Sequence, residues 1–286
     1  MVTPPVVLAI AGTDAGGGAG IAADLTTYAA LGVHGASVVT AVTAQDTTAV
    51  HAIHAVPLSV VQAQLDAVLA DLAPAVVKTG MLGTAEIAEL VGRRCAGLPL
   101  VVDPVLRATT GATLAGPELV EAYRSALLPV ATVVTPNAAE ARVLLGLTAD
   151  GATPARELAV RLARLLRGPA VLLTGGPEAD PAATCTDWLA RPGQEPLALG
   201  HPAVATTNDH GTGCTHASAL AAYLARGDDL EAAAVGAAAW VTAQLAVSRS
   251  WQLGRGRGPV AHTSSTTRPL NHSAPRTPVP LTEEIA

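Results

Sequence analysis

The chain contains no phenylalanine, and aromatics make up only 2% of its 286 residues. Its core must therefore be built from Ala, Val and Leu, and few rings remain on which nucleic-acid bases could stack. Lysine occurs once, as Lys78, and the formal charge of −6 with a pI near 5.7 lacks the basic footprint of a nucleic-acid partner. Cys95, Cys185 and Cys214 lie far apart and form no C-x-x-C pair. This argues against a disulfide framework and a structural zinc site, and for a reducing, cytoplasmic setting. No basic n-region precedes the first apolar run, so no signal peptide is expected. The apolar stretch 232–247 carries Thr242 and Gln244 and reads as a buried helix rather than a membrane span.

Half the residues are hydrophobic, and they fall into short Val-rich runs separated by longer Ala/Leu segments. Strands are expected at 6–11, 36–42, 75–79, 100–103, 132–135 and 170–174. Helices are expected between them, at 21–31, 58–72, 85–95, 117–127, 138–145 and 154–166. A hairpin turning at RPGQ (191–194) and two helices, 215–225 and 230–247, complete the pattern. Such alternation predicts an α/β fold with a mostly parallel sheet covered on both faces and an antiparallel edge hairpin. Residues 1–263 read as one domain. Composition turns to Gly, Arg, Pro, Ser and Thr after 254, and 264–286 reads as a disordered tail.

Ligands of an open α/β sheet bind outside the carboxyl ends of its strands. The uncommon polar and glycine-rich elements fall there: GTDAGGGAG (12–20), TAQD (43–46), KTGM (78–81), DPV (103–105), TPNAAE (135–140) and TGG (174–176). A G-x-G-x-x-A match at 18–23 lies too far past the first strand for a dinucleotide turn, and Lys78 follows PAVV, not the glycines of a P-loop. Each element also has a plainer reading. Lys78 can be a strand-end residue with a solvated head, Asp24 a capping carboxylate and Asp103 part of a strand stop. Asn137 and Glu140 fit an N-cap and its capping-box partner. Met81 reads as core, Gln45 as a loop amide, and His210 as a support for its loop.

The stretch NDHGTGCTHAS (208–218) offers more chemistry. Amides of Gly211, Thr212, Gly213 and Cys214 at a helix start would cradle an anion. The same positive end is expected to lower the Cys214 thiol from about 8.5 toward neutrality. Such a thiol accepts the proton of an alcohol attacking phosphorus. The alternative is a glycine-rich turn followed by a small buried thiol.

Together, AGTDAGGGAGIAADL (11–25), VTAQDT (42–47), KTGML (78–82), VVDPV (101–105), TPNAAEA (135–141), HGTGCT (210–215) and GRGPV (256–260) resemble one family. It is the hydroxymethylpyrimidine/phosphomethylpyrimidine kinases of thiamine biosynthesis, within the ribokinase-like superfamily. The resemblance runs from about residue 6 to about residue 262. It implies a ribokinase-like three-layer αβα sandwich, ATP and Mg²⁺ as cofactors, a small-molecule aminopyrimidine substrate and a homodimer without a membrane partner. It assigns Asp24 and Gln45 to the aminopyrimidine, with Thr43 and Gly12 nearby and Met81 against the ring. Gly211, Thr212 and Gly213 would stabilise the transferring phosphoryl group, and Cys214 would be the base. Asn137 and Glu140 would organise Mg²⁺ through waters, with Lys78, Asp103 and Thr174 near the nucleotide phosphates.

Two departures stand out. Thr174 occupies a position where the family often has lysine, which leaves a phosphate contact to another residue such as an arginine. Ala15-Gly16 replaces a usual Pro-Ser or Thr-Ser pair. Two alternatives accompany this resemblance: a pyridoxal kinase, because pyridoxal carries a comparable hydroxymethyl group, and a non-catalytic pyrimidine-binding module.

Overall fold

Alternation along the strands divides the interior into two cores. In β1 (Val6–Ala11), Leu8 and Ile10 pack on one face of the sheet, while Val7, Ala9 and Ala11 pack on the other, as the two-residue period of a strand requires. The computed structural model describes residues 3–107, 111, 114–148, 151–175 and 184–262. In it β1 pairs in parallel with β2 (His34–Val39). The chain then leaves the main sheet to form a separate antiparallel pair, β3 (Ala41–Gln45) and β4 (Val50–Ala55). It returns as β5 (Val76–Thr79), β6 (Leu100–Val102), β7 (Val133–Val134) and β8 (Ala170–Leu173), all parallel. β9 (Thr184–Ala190) and β10 (Leu197–Pro202) add the antiparallel edge. The order across the sheet is β10-β9-β8-β7-β6-β5-β1-β2.

The helices are α1 (Gly20–Ala30), α2 (Leu58–Asp71), α3 (Ala85–Arg94), α4 (Pro117–Ala122), α5 (Ala138–Leu144), α6 (Ala155–Leu166), α7 (Thr212–Ala225) and α8 (Leu230–Ser248). Side chains of α2 to α6 join the core that contains Leu8, Ile10 and Val102, whereas α1, α7 and α8 join the core of Val7, Ala9 and Val101. Ala217, Ala219, Ala221 and Ala222 of α7 are fully buried. Facing small strand residues such as Ala9 and Ala11, they let backbones approach closely without aromatic filler. The result is the expected ribokinase-like αβα sandwich with its antiparallel edge hairpin.

The expected strand 36–42 is in fact two, broken at Thr40. Its hydroxyl donates to the Met81 carbonyl at 2.7 Å, and its amide to Ala11 O at 3.0 Å, which turns the chain out over the sheet's rim. The β3–β4 turn, which the sequence reading does not single out, is held by Asp46: its Oδ1 accepts from Thr48 N, Thr48 Oγ1 and Ala49 N, the local bonding an Asp-Thr-Thr run favours. Helix α7 begins at Thr212, three residues before the expected start, because Gly211 takes a left-handed N-cap conformation with φ of 87°. The expected helix 117–127 is α4 followed by a π-helical turn, Tyr123–Leu127. Helix α8 buries Ala233, Ala237 and Val241 but exposes Val235 and Val247, so only one of its faces is covered. The expected tail, 264–286, and Gly176 lie outside the described residues.

Candidate active site

The loop between β1 and α1 is folded around a carboxylate that the sequence reading does not single out. Asp14 Oδ1 accepts from Gly16 N at 2.9 Å, and Oδ2 accepts from Gly18 N at 3.1 Å and Ala19 N at 2.9 Å. His210 Nε2 lies 2.7 Å from the same Oδ2. Amides that a dinucleotide's pyrophosphate would need are thus taken by the chain's own side chain. Burial alone would raise Asp14, but His210 and the amides of Gly16 and Ala19 outweigh it and hold the carboxyl below its usual range. An Asp preceding a glycine run is a turn signal that could have marked it.

Beside this loop, a pocket of about 310 Å³ opens at the strand tips. Gly12, Thr43, Gln45 and Met81 line one side. Thr43 is fixed by two bonds to Thr13, its amide to Oγ1 at 3.1 Å and its hydroxyl to the carbonyl at 2.9 Å. A Cβ on Gly12 would collide with Met81 Cε, so glycine there makes room for the Met81 side chain. On the other side stand Asp103 after β6, Asn137 and Glu140 at the start of α5, and Thr174 after β8. Asn137 and Glu140 do form a reciprocal capping box: Asn137 Oδ1 accepts from Glu140 N, and Glu140 Oε2 from Asn137 N, each at 3.0 Å. The plain reading of this pair is therefore correct, and the same two residues line the pocket.

Gly211, Thr212, Gly213 and Cys214 close the pocket. A Cβ on Gly211 would strike the Gly18 carbonyl, so the two glycine loops are locked together. Thr212 N turns to Asp209 O at 3.2 Å, and the first helical bond runs from Thr215 N to Gly211 O at 2.9 Å. The amides of Gly213 and Cys214, ahead of that bond, remain for an anion.

Two expected site residues do not reach the pocket. Asp24 and Lys78 are each fully buried and form an ion pair at 2.8 Å beneath it. Ser218 Oγ also donates to Asp24 Oδ1, at 2.7 Å. Burial works against the Lys78 charge, but Asp24, then Cys214, Asp103 and Tyr28, hold its pKa above the usual lysine value. Asp24 is therefore withdrawn from the pocket surface, and Lys78 reaches neither solvent nor the pocket wall. Its charge acts from below.

The expected depression of the Cys214 thiol is likewise corrected. Its surface is partly open to the pocket, yet dense protein surrounds it, and burial pushes the thiol up to about 12. Lys78 and the Gly20 amide favour the thiolate, while Asp103 and Asp24 oppose it. The helix start is outweighed because two carboxylates and desolvation act at the same sulfur.

Asp103 and Glu140 carry the other large perturbations. Burial raises Asp103, partly countered by Lys78, and Asp24 raises it further. Burial and then Asp103 raise Glu140, with the amides of Asn137 and Leu106 pulling back. Asp103 Oδ2 is buried without a hydrogen-bond partner among the described residues. Two apposed carboxyls, one with a free oxygen, fit a divalent cation that retains water and phosphate ligands. Among the described residues no cluster of three or more His, Cys, Asp or Glu could cage a metal by itself.

A stability prediction follows. With a raised folded pKa, Glu140 keeps its proton in the native state after the unfolded chain has ionised. Stability should thus fall as pH climbs above about 4.3, the ordinary glutamate value, and keep falling until the raised pKa is passed. Glu140→Gln preserves the capping acceptor and removes the charge. Thermal melts without metal between about pH 5 and 9 should show a shallower decline for the variant, each kcal/mol moving Tm by about 2–4 °C. Identical slopes would show that Glu140 is not the titrating group.

An αβα sandwich that brings a helix start, buried carboxyls and a ring-sized wall to one strand-tip pocket defines a ribokinase-like phosphotransferase. Comparison with known proteins narrows the class. Residues 14–261 match the family model described as phosphomethylpyrimidine kinase, and the chain belongs to that family. It is 44% identical over 264 residues to the hydroxymethylpyrimidine/phosphomethylpyrimidine kinase of Synechococcus elongatus, covering 90% of this chain and 97% of that one. Among solved structures, an ADP complex of Bacillus subtilis pyridoxal kinase superposes with a TM-score of 0.80 at 31% identity, covering 91% and 98% of the two chains. A phosphomethylpyrimidine kinase from Clostridium difficile superposes with a TM-score of 0.71 at 32% identity, covering 84% and 98%.

Proposed function

We propose that the protein uses ATP and Mg²⁺ to phosphorylate the hydroxymethyl group of 4-amino-5-hydroxymethyl-2-methylpyrimidine, and then the monophosphate so formed. The observation that carries this reading is the joining of Met81, Thr43 and Gln45 with the α7 start and Cys214 in one pocket. The ring lies against Met81, and Gln45 bonds its edge. The hydroxymethyl oxygen attacks the terminal phosphorus as the bond to ADP breaks, and its proton passes to the Cys214 thiolate, the minor form of that side chain at neutrality. The amides of Gly213 and Cys214, left open at the start of α7, stabilise charge on the transferring group, since phosphoryl transfer asks chiefly for alignment and charge neutralisation. The Thr212 amide of the expected cradle turns instead to Asp209 O. Asn137, Glu140 and Asp103 would hold Mg²⁺, which when bound would neutralise phosphate charge.

Thr174 supplies no charge, but Arg107 also lines the pocket and is the only Lys or Arg to do so among the described residues. We assign it the phosphate contact for which no lysine is present. No sequence signal marked it. The protein is further assigned to the cytoplasm as a homodimer without a nucleic-acid or membrane partner.

Purified protein given the pyrimidine and Mg-ATP should release two ADP per pyrimidine, with the monophosphate preceding the diphosphate. Pyridoxal offered in competition should show the lower kcat/KM. Tight pyrimidine binding in calorimetry with no product would instead favour a non-catalytic module, and preferred turnover of pyridoxal would favour the pyridoxal reading.

A further inference from the structure

We propose that His210 is a positioning residue that fixes which end of the Gln45 amide faces the substrate. The proposal rests on the pyrimidine-kinase reading for its substrate, but its geometry stands apart from it. His210 Nε2 has two close partners, Asp14 Oδ2 at 2.7 Å and the Gln45 amide nitrogen at 3.2 Å. Asp14 already accepts three backbone N–H groups, and that environment holds it ionised. An ionised carboxylate only accepts, so the imidazole must carry a proton on Nε2 and donate it. Two N–H groups cannot then face each other across 3.2 Å. The contact becomes a bond when the amide turns by half a revolution, so that Gln45 Oε1 shares the His210 proton and its NH₂ faces the pocket.

The consequence is a specificity rule. Gln45 offers the substrate a donor and no acceptor, so it recognises a ring nitrogen rather than an amino group. In the aminopyrimidine, that is the nitrogen beside the amino-bearing carbon. His210 is itself well anchored: its amide donates to Gly258 O and its carbonyl accepts from Val260 N, both at 3.0 Å, and a Cβ on Gly18 would strike its ring. Its side chain therefore cannot swing away to release Gln45.

The first test is the ¹⁵N and ¹H NMR spectrum of His210 in the ligand-free protein. A proton bonded to Nε2 is expected, and a neutral ring protonated only at Nδ1 would overturn the proposal. This readout needs no turnover, so it remains decisive even if the kinase reading fails.

The second test compares the pyrimidine with an analogue in which the ring nitrogen is replaced by C–H. Wild type should prefer the pyrimidine by roughly 10-fold or more in kcat/KM, as loss of one good hydrogen bond implies. His210→Leu should abolish that preference and raise the pyrimidine KM, with the KM for Mg-ATP unchanged. His210→Asn, which restores an N–H donor, should regain part of the preference. Undiminished discrimination in a folded His210→Leu would overturn the proposal, and if that variant does not fold the NMR result decides.

Discussion

Replacing Cys214 by alanine is expected to lower kcat by at least about 100-fold while leaving the KM for the pyrimidine similar, as loss of a proton acceptor used only in the transition state requires. The thiol's environment adds a second signature. With its pKa pushed up to about 12, the sulfur holds its proton at neutrality in the ligand-free protein. Far below that value the thiolate fraction grows about tenfold for each pH unit. Where chemistry limits the rate, wild-type kcat should climb steeply between about pH 6 and 9, and the alanine variant should lose that climb along with the rate. A high-pKa thiolate is scarce but strongly basic, which suits an alcohol whose own proton is hard to remove. Stopped-flow or quench-flow turnover across this range measures both effects. An alanine variant that turns over at the wild-type rate would remove the thiol from the mechanism.

The largest effect on stability is expected at Lys78. Lys78→Met leaves the Asp24 carboxylate buried with Ser218 as its remaining donor. Breaking a buried ion pair from one side costs about 3–5 kcal/mol, because the surviving charge loses its partner without regaining water. Denaturant unfolding should show that loss as a lower midpoint at unchanged slope. Adding Asp24→Asn should recover most of it, since the asparagine oxygen still accepts from Ser218 and no charge is stranded. A single variant as stable as wild type, or a double variant no better than the single, would contradict the pairing. Lys78→Met should also slow turnover, because Lys78 is the main group favouring the Cys214 thiolate.

Local patterns in the chain carried much of what the fold turned out to be. The continuous apolar run of β1, the helical spacing of Leu158, Leu162 and Leu166 in α6, the RPGQ turn and the N-x-x-E cap at Asn137 are short-range features, and short-range chemistry decides them. The same holds for the rim: glycine and polar runs that follow each strand must gather where parallel strands end together, so Gln45, Met81, Asp103, Glu140 and Cys214 were readable as neighbours, and they line one pocket. Other properties depend on residues distant in sequence and were not readable. Asp24 and Lys78 are 54 positions apart, and only packing of α1 on the sheet withdraws both from solvent and joins them. Asp14 meets His210 across 196 positions, where two glycine loops interlock. The Cys214 acidity reversed expectation for the same reason: a helix start can be inferred from Gly211 onward, whereas desolvation and two nearby carboxylates arise only once the three-layer core has closed.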